Sequence, residues 1–152
     1  MTDRYISPSG VNTGSGTIGS PWLTGTYAVG AATAGDKLIF REGTYTERIV
    51  INKALTLEAY PGERVIFDGN NIYPTNTNRE AGTLNGQPYL SISYSGLLSV
   101  EADNVTINGP FEITRSRGRG IYVVGTNATT RIAHISISNC DIYDNRHAAI
   151  VL

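Results

Sequence analysis

The chain repeats itself at a nearly fixed interval, and that restricts its fold more than any other feature. Val105-Thr-Ile-Asn-Gly-Pro-Phe-Glu-Ile-Thr and Ile135-Ser-Ile-Ser-Asn-Cys-Asp-Ile-Tyr-Asp carry the same alternation of apolar and polar residues. Val105 and Ile107 map onto Ile135 and Ile137 at a shift of 30. Ile113, Ile121 and Val123 map onto Ile142, Ile150 and Leu152 at a shift of 29. The one-residue difference falls in Asn108-Gly109-Pro110, read as a turn that absorbs an extra residue. Weaker copies precede these: Leu55/Leu57, Val65/Phe67 and Leu98/Val100, and before them Leu38/Phe40 and Ile49/Ile51. Alternation of period two predicts half-buried strands. Three short strands per repeat of about 30 residues predict a parallel solenoid, each coil pairing with the coils above and below it. Like residues then stack on like at a rise of ~4.8 Å, and about four coils give a stack of ~19 Å. Asn108 is expected near Asn139, where side-chain amides can bond along the axis.

Composition agrees. The 152 residues include 17 Gly, 17 Thr, 12 Asn and 11 Ser, a strand-and-turn composition. Strand-like runs recur at Leu38–Phe40, Ile49–Ile51, Leu55–Leu57, Val65–Phe67, Leu97–Val100, Val105–Ile107, Phe111–Ile113, Ile121–Val124, Ile135–Ile137, Ile142–Tyr143 and Ala149–Leu152. They are too short for a sandwich, and Asn85-Gly86 sits in a polar stretch that does not read as a hairpin. One short helix is expected after Pro21, with Ser20 as its cap and Trp22, Thr26, Val29 and Ala32 near one face. The chain reads as one domain: a strand and helical cap over 1–36, then coils over 37–152. A loop projects at about 70–94.

Charge narrows the function. Lys+Arg is 12 and Asp+Glu is 13, a net charge of −1, without the basic excess that nucleic-acid phosphates require. At 40% hydrophobic residues the chain is not a charge-extended disordered one. No apolar run reaches the roughly 18 residues of a membrane span. The start, Met1-Thr2-Asp3-Arg4, has no apolar segment of a signal peptide. It fits a trimmed form of a secreted protein, or one made without a signal, as phage-borne proteins are. The single cysteine, Cys140, excludes an internal disulfide and reads as a small core or turn residue.

Chemistry is sparse. The most pointed feature is the basic turn Arg115-Ser-Arg-Gly-Arg-Gly, which the shift of 29 lays over Asp144-Asn-Arg-His-Ala. Arg115 is expected on Asp144 and Arg117 on Arg146, with Arg119 and His147 beside them. Stacked arginines repel unless an anion lies between them, so this is a candidate anion patch for a uronate or sulfate. His147 is a candidate base, because histidine as a residue type titrates near neutral pH, whereas His134 reads as a surface residue flanking a strand. Tyr73, Tyr89 and Tyr94 in the long loop are candidates for stacking on sugar rings or for packing the loop down. Lys37 and Lys53 read as solvated turn residues. Oxygen ligands for calcium are conceivable at Asp103, Asp141 and Asp144; no other cofactor is expected.

Several stretches also resemble a known family. Tyr5-Ile-Ser-Pro-Ser-Gly, Gly16-Thr-Ile-Gly-Ser-Pro-Trp and Ala31-Ala-Thr-Ala-Gly-Asp-Lys-Leu-Ile-Phe-Arg-Glu-Gly-Thr-Tyr-Thr-Glu look like the opening of right-handed parallel β-helix proteins of the pectate lyase-like superfamily. Ala59-Tyr-Pro-Gly-Glu-Arg-Val-Ile-Phe-Asp-Gly and Ile135-Ser-Ile-Ser-Asn-Cys-Asp-Ile-Tyr-Asp-Asn continue the match. The resemblance implies a fold whose N-terminal helix covers the first coil. It also implies an extracellular or cell-surface, carbohydrate-active module, the N-terminal part of a polysaccharide lyase-like protein that takes acidic polysaccharide. No catalytic motif carries over residue by residue. The competing expectation is a noncatalytic structural or adhesive module that assembles by end-to-end stacking. The last coil would expose Ile142, Ile150 and Leu152, so further chain or another subunit is expected to cover that end.

Overall fold

The computed structural model describes residues 1–71, 81–84, 87–90, 96–124, 132–146 and 149–151, with 81–84 and 87–90 described as backbone. In chain order the elements are β1 (Asp3–Ile6), α1 (Gly25–Ala31), β2 (Lys37–Phe40), β3 (Gly43–Tyr45), β4 (Ile49–Ile51), β5 (Thr56–Ala59) and β6 (Val65–Asp68). They continue with β7 (Ala81–Leu84), β8 (Gln87–Leu90), β9 (Gly96–Val100), β10 (Thr106–Thr114), β11 (Arg119–Val123), β12 (Ser136–Tyr143) and β13 (Ile150–Val151).

The strands pair in parallel with counterparts one repeat away and build three sides. One side stacks β1, β2, β5 and the first halves of β10 and β12. The second stacks β3, β6 and the second halves of β10 and β12. The third stacks β4, β9, β11 and β13. This is a parallel β-helix, and its register is the one the repeat dictates. Leu38, Leu57, Ile107 and Ile137 align on the first side. Tyr45, Phe67, Ile113 and Ile142 align on the second. Ile49, Leu98, Ile121 and Ile150 align on the third.

Because alternate side chains face inward, these columns form the core. Leu57, Phe67, Leu98, Ile107, Ile113 and Ile121 are wholly buried. Each such side chain stabilises the fold by roughly 1.5–3 kcal/mol relative to exposure. Phe67 packs between Phe40 and Phe111 with ring centroids 5.1 and 5.2 Å away, in the edge-to-face geometry aromatic pairs favour.

Four local expectations need correction. The helix begins later than expected: Thr24, not Ser20, is the cap, its hydroxyl accepting from Tyr27 N at 3.2 Å. Trp22 instead bridges Ile6 as extended chain. Asn108-Gly109-Pro110 is not a turn between two strands. It is an irregularity inside the continuous strand β10, where the register slips by one residue against β12. Asn139 does bond along the axis, its amide donating to Asn108 Oδ1 at 2.8 Å. β7 and β8, on either side of Asn85-Gly86, do pair antiparallel, with Leu84 opposite Gln87, although Asn85 and Gly86 themselves lie outside the described residues. Lys53 is not simply solvated: its ammonium donates to Gly30 O at 3.2 Å and Ala32 O at 3.0 Å, satisfying carbonyls at the helix C-terminus.

At the other end of the helix, Glu47 accepts from Gly25 N at 2.7 Å and Thr26 N at 2.8 Å. These contacts clamp α1 over the first turn of the solenoid, where buried Gly25 lies against Ile49 and Phe40.

Candidate functional site

The connections between the second and third sides stack into one corner. Residues 69–71 follow β6, residues 115–118 follow β10, and residues 144–146 follow β12. Backbone bonds fix the stack: Gly69 N donates to Thr114 O at 2.8 Å, Asn71 N to Arg115 O at 2.8 Å, and Arg146 N to Ser116 O at 2.9 Å. Asn145 locks the upper two together. Its Oδ1 accepts from Ser116 N at 2.9 Å and its Nδ2 donates to Ile113 O at 3.0 Å.

The basic turn therefore does lie over residues 144–146, with Arg117 and Arg146 both exposed there. Arg115 departs from expectation. Its guanidinium pairs with Asp68, one turn of the solenoid below, and not with Asp144. Arg115 and Asp144 both hold left-handed backbone, φ 55° and 52°, and the nearly buried Asp68 lies within reach of the guanidinium on the turn below. The Arg115 guanidinium, with help from Asn70 N–H, holds the Asp68 carboxyl below the usual carboxylate range against the opposing effect of burial. Arg119 is half-buried, and its guanidinium lies 4.7 Å from the centre of the Tyr122 ring.

Sequence reasoning missed Asp68, whose apolar neighbours mark it only as the end of a strand. Tyr73, Tyr94 and His147 lie outside the described residues, as does the side chain of Tyr89. The chain leaves this same corner after Asn71 and returns at Gly96, so the segment bearing the three tyrosines is an insertion at the arginine corner.

The three acids considered for calcium do not converge. Asp103 precedes β10 and accepts from Ala133 N at 2.8 Å, whereas Asp144 follows β12, at the opposite end of these strands. Among the described residues no three His, Cys, Asp or Glu side chains are placed to share a metal ion. Lys37 pairs with Glu58 at 3.0 Å, which raises its ammonium above the ordinary lysine value.

A second concavity of about 790 Å³ lies outside the bend of β10 and β12, lined by Arg64, Pro110, Glu112, Asn139, Cys140 and Asp141 among others. Arg64 grips Glu112 with two bonds of 2.5 and 2.8 Å, and the Tyr143 hydroxyl donates to Glu112 Oε2 at 2.8 Å. The Arg64 guanidinium holds the Glu112 carboxyl below its ordinary value. Cys140 is half-buried, and burial pushes its thiol up, which suppresses the reactive thiolate.

Known proteins share this architecture. The solved pectate lyase Pel9A superposes over 100% of the chain and 36% of its own, with a TM-score of 0.60 at 19% identity. The complex of XylC with xylose covers 80% of the chain and 39% of its own, with a TM-score of 0.55 at 12% identity. Pectate lyase PEL9 of Emericella nidulans is 34% identical over 126 residues, 73% of the chain and 29% of that protein. The chain is a pectate lyase-like parallel β-helix. The uncharacterized protein YwoF of Bacillus subtilis is a further relative, 29% identical over 145 residues, 89% of the chain and 27% of that protein. This pectate lyase-like chain thus spans less than a third of the length of the curated relatives it matches. No family model matches it. No helix among its described residues is long and apolar enough to cross a membrane.

Proposed function

We propose that the chain is an extracellular carbohydrate-active module that binds acidic polysaccharide at the corner formed by residues 69–71, 115–118 and 144–146. The observation that carries this reading is the stacking of Arg117 and Arg146, both exposed, on adjacent turns of the solenoid. Arg115 pairs with Asp68, and the exposed Arg117 and Arg146 are the residues assigned to a carboxylate-bearing sugar. Similarity to a protein named as a pectate lyase supports a uronate polymer as the ligand. The inserted segment at the same corner supports a binding face, since loops on a rigid scaffold commonly carry recognition.

Affinity electrophoresis in polygalacturonate, with neutral dextran as the control, tests the proposal. Retardation by polygalacturonate alone is expected. Arg117→Ala combined with Arg146→Ala should weaken it at least tenfold, and added salt should weaken it further. Equal mobility in both gels, or an unaffected double variant, would remove the arginine corner as the binding site. Release of unsaturated product, followed by absorbance with and without calcium, separates a lyase from a binding module.

A further inference from the structure

Arg115 belongs to the same corner as Arg117 and Arg146. Asn71 N donates to Arg115 O and Arg146 N to Ser116 O, which holds the three arginines on adjacent turns. The fork of Arg115 is turned down onto Asp68. Its Nε donates to Asp68 Oδ1 at 2.9 Å and its Nη2 to Asp68 Oδ2. This two-bond grip is how arginine recognises carboxylates in general, a uronate included. Asp68 therefore fills, from within the chain, the place that a sugar carboxylate would take.

The two partners sit at different depths. The Arg115 side chain is 47% exposed and that of Asp68 is 9% exposed. The guanidinium can swing outward on its flexible stem, whereas the carboxylate stays on its strand. A nearly buried carboxylate left behind needs other donors, because an unpaired charge there is costly. Two are in place. Asn70 N donates to Asp68 Oδ1 at 2.8 Å and does not depend on Arg115. Thr114 is the register partner of Asp68, so the two side chains leave the same face of the sheet. The Thr114 hydroxyl is buried and has no hydrogen-bond partner among the described residues. Buried polar groups are normally bonded, so this one is a donor waiting for an acceptor. Thr114 lies between Asp68 and Tyr143 in register, inside the stack. Turned toward Asp68, its hydroxyl replaces a bond that Arg115 gives up. The contact then has two satisfied arrangements, with Arg115 on Asp68 or with Arg115 on a ligand.

We propose that Asp68 competes with the polysaccharide for Arg115, holding a third carboxylate-binding arginine in reserve and lowering the affinity of the corner. The inference rests on the binding reading above and names the residue that tunes it. Asp68 acts through Arg115, so it is a positioning residue.

Affinity electrophoresis of the 152-residue chain in polygalacturonate tests this, with a cooperative urea transition as the check on folding. Asp68→Asn should tighten binding about fivefold, the scale of one exposed ion pair, even though it lowers stability. A purely structural role predicts the opposite, since a loosened corner binds less. Adding Arg115→Ala to Asp68→Asn should bring the affinity back to within about twofold of wild type. Glu112→Gln removes an equal charge from the same face without releasing Arg115, and should change the affinity by less than about twofold. Unchanged or weaker binding by folded Asp68→Asn would overturn the inference. So would a gain that survives Arg115→Ala, or an equal gain in Glu112→Gln. If Asp68→Asn does not fold, Asp68→Ser, smaller and still an acceptor for Asn70 N–H, carries the same expectations. A wild-type chain that polygalacturonate does not retard would remove the binding reading and this inference with it. Wild-type retardation without the gain would remove this inference alone.

Discussion

Arg115 occupies a backbone conformation that suits asparagine or glycine better than arginine. Left-handed φ recurs by register, at Asn104 and His134 and again at Arg115 and Asp144, because each corner turns the chain the same way. A long side chain there costs about 1–2 kcal/mol, a cost that Asn and Asp lower through local hydrogen bonds. The pairing of Arg115 with Asp68 ties two turns of the solenoid together. Because the Asp68 carboxyl is held below its unfolded value, the pair stabilises the fold above about pH 4 and loses this effect as pH falls through the folded value. Glu63 beside Arg41 and Glu112 beside Arg64 act in the same direction. Asp68→Asn should therefore lower the urea midpoint at neutral pH, and the gap from wild type should close on acidification. A gap independent of pH would show that the ion pair is not its source.

At the scale of elements, glycine keeps the arginine corner compact. A Cβ on Gly69 would lie 2.6 Å from both Arg115 O and Ser116 Cα, backbone atoms that cannot rotate away. Gly69→Ala should cost about 1–3 kcal/mol, as overpacking does, and should weaken polygalacturonate retardation with it. Wild-type stability in a chemical denaturation curve would show that the corner has slack. This corner also marks how far the sequence could be read. The turn at Arg115 was legible as a basic run, and its place over residues 144–146 followed from the constant shift. Its partner Asp68 was not, because it lies 47 residues away across the insertion, where no constant shift applies. Strands with alternating apolar residues were found. β3, spelled Gly-Thr-Tyr, has too little contrast to be seen, yet register seats it under β6. The helix start was misplaced because Ser20 and Thr24 are both competent caps. The structure selects Thr24, with Glu47 reaching the first amides.

Across the whole molecule, each turn of the solenoid contacts its immediate neighbours, so stability is graded along the axis. Ile107 lies between Leu57 and Ile137 and is wholly buried, whereas Ile137 is only partly buried among the described residues. Ile107→Ala should cost about 2–5 kcal/mol. Ile137→Ala, measured in the 152-residue chain, should cost less than half as much. Equal costs would mean that the open turn is as well packed as the interior.

The ladder is indifferent to how much polypeptide lies between its members. Leu57 and Ile107 are neighbours although 50 residues separate them, while Ile107 and Ile137 are neighbours at 30. The surplus is spent between Asn71 and Gly96, after which β9 rejoins in step with β4 and β11. Doubling the length of such an excursion adds only about 0.6 kcal/mol of closure entropy. A foreign segment spliced between these two residues would leave the spacing of every other turn unchanged, so recognition can diversify at this seam while the scaffold stays constant.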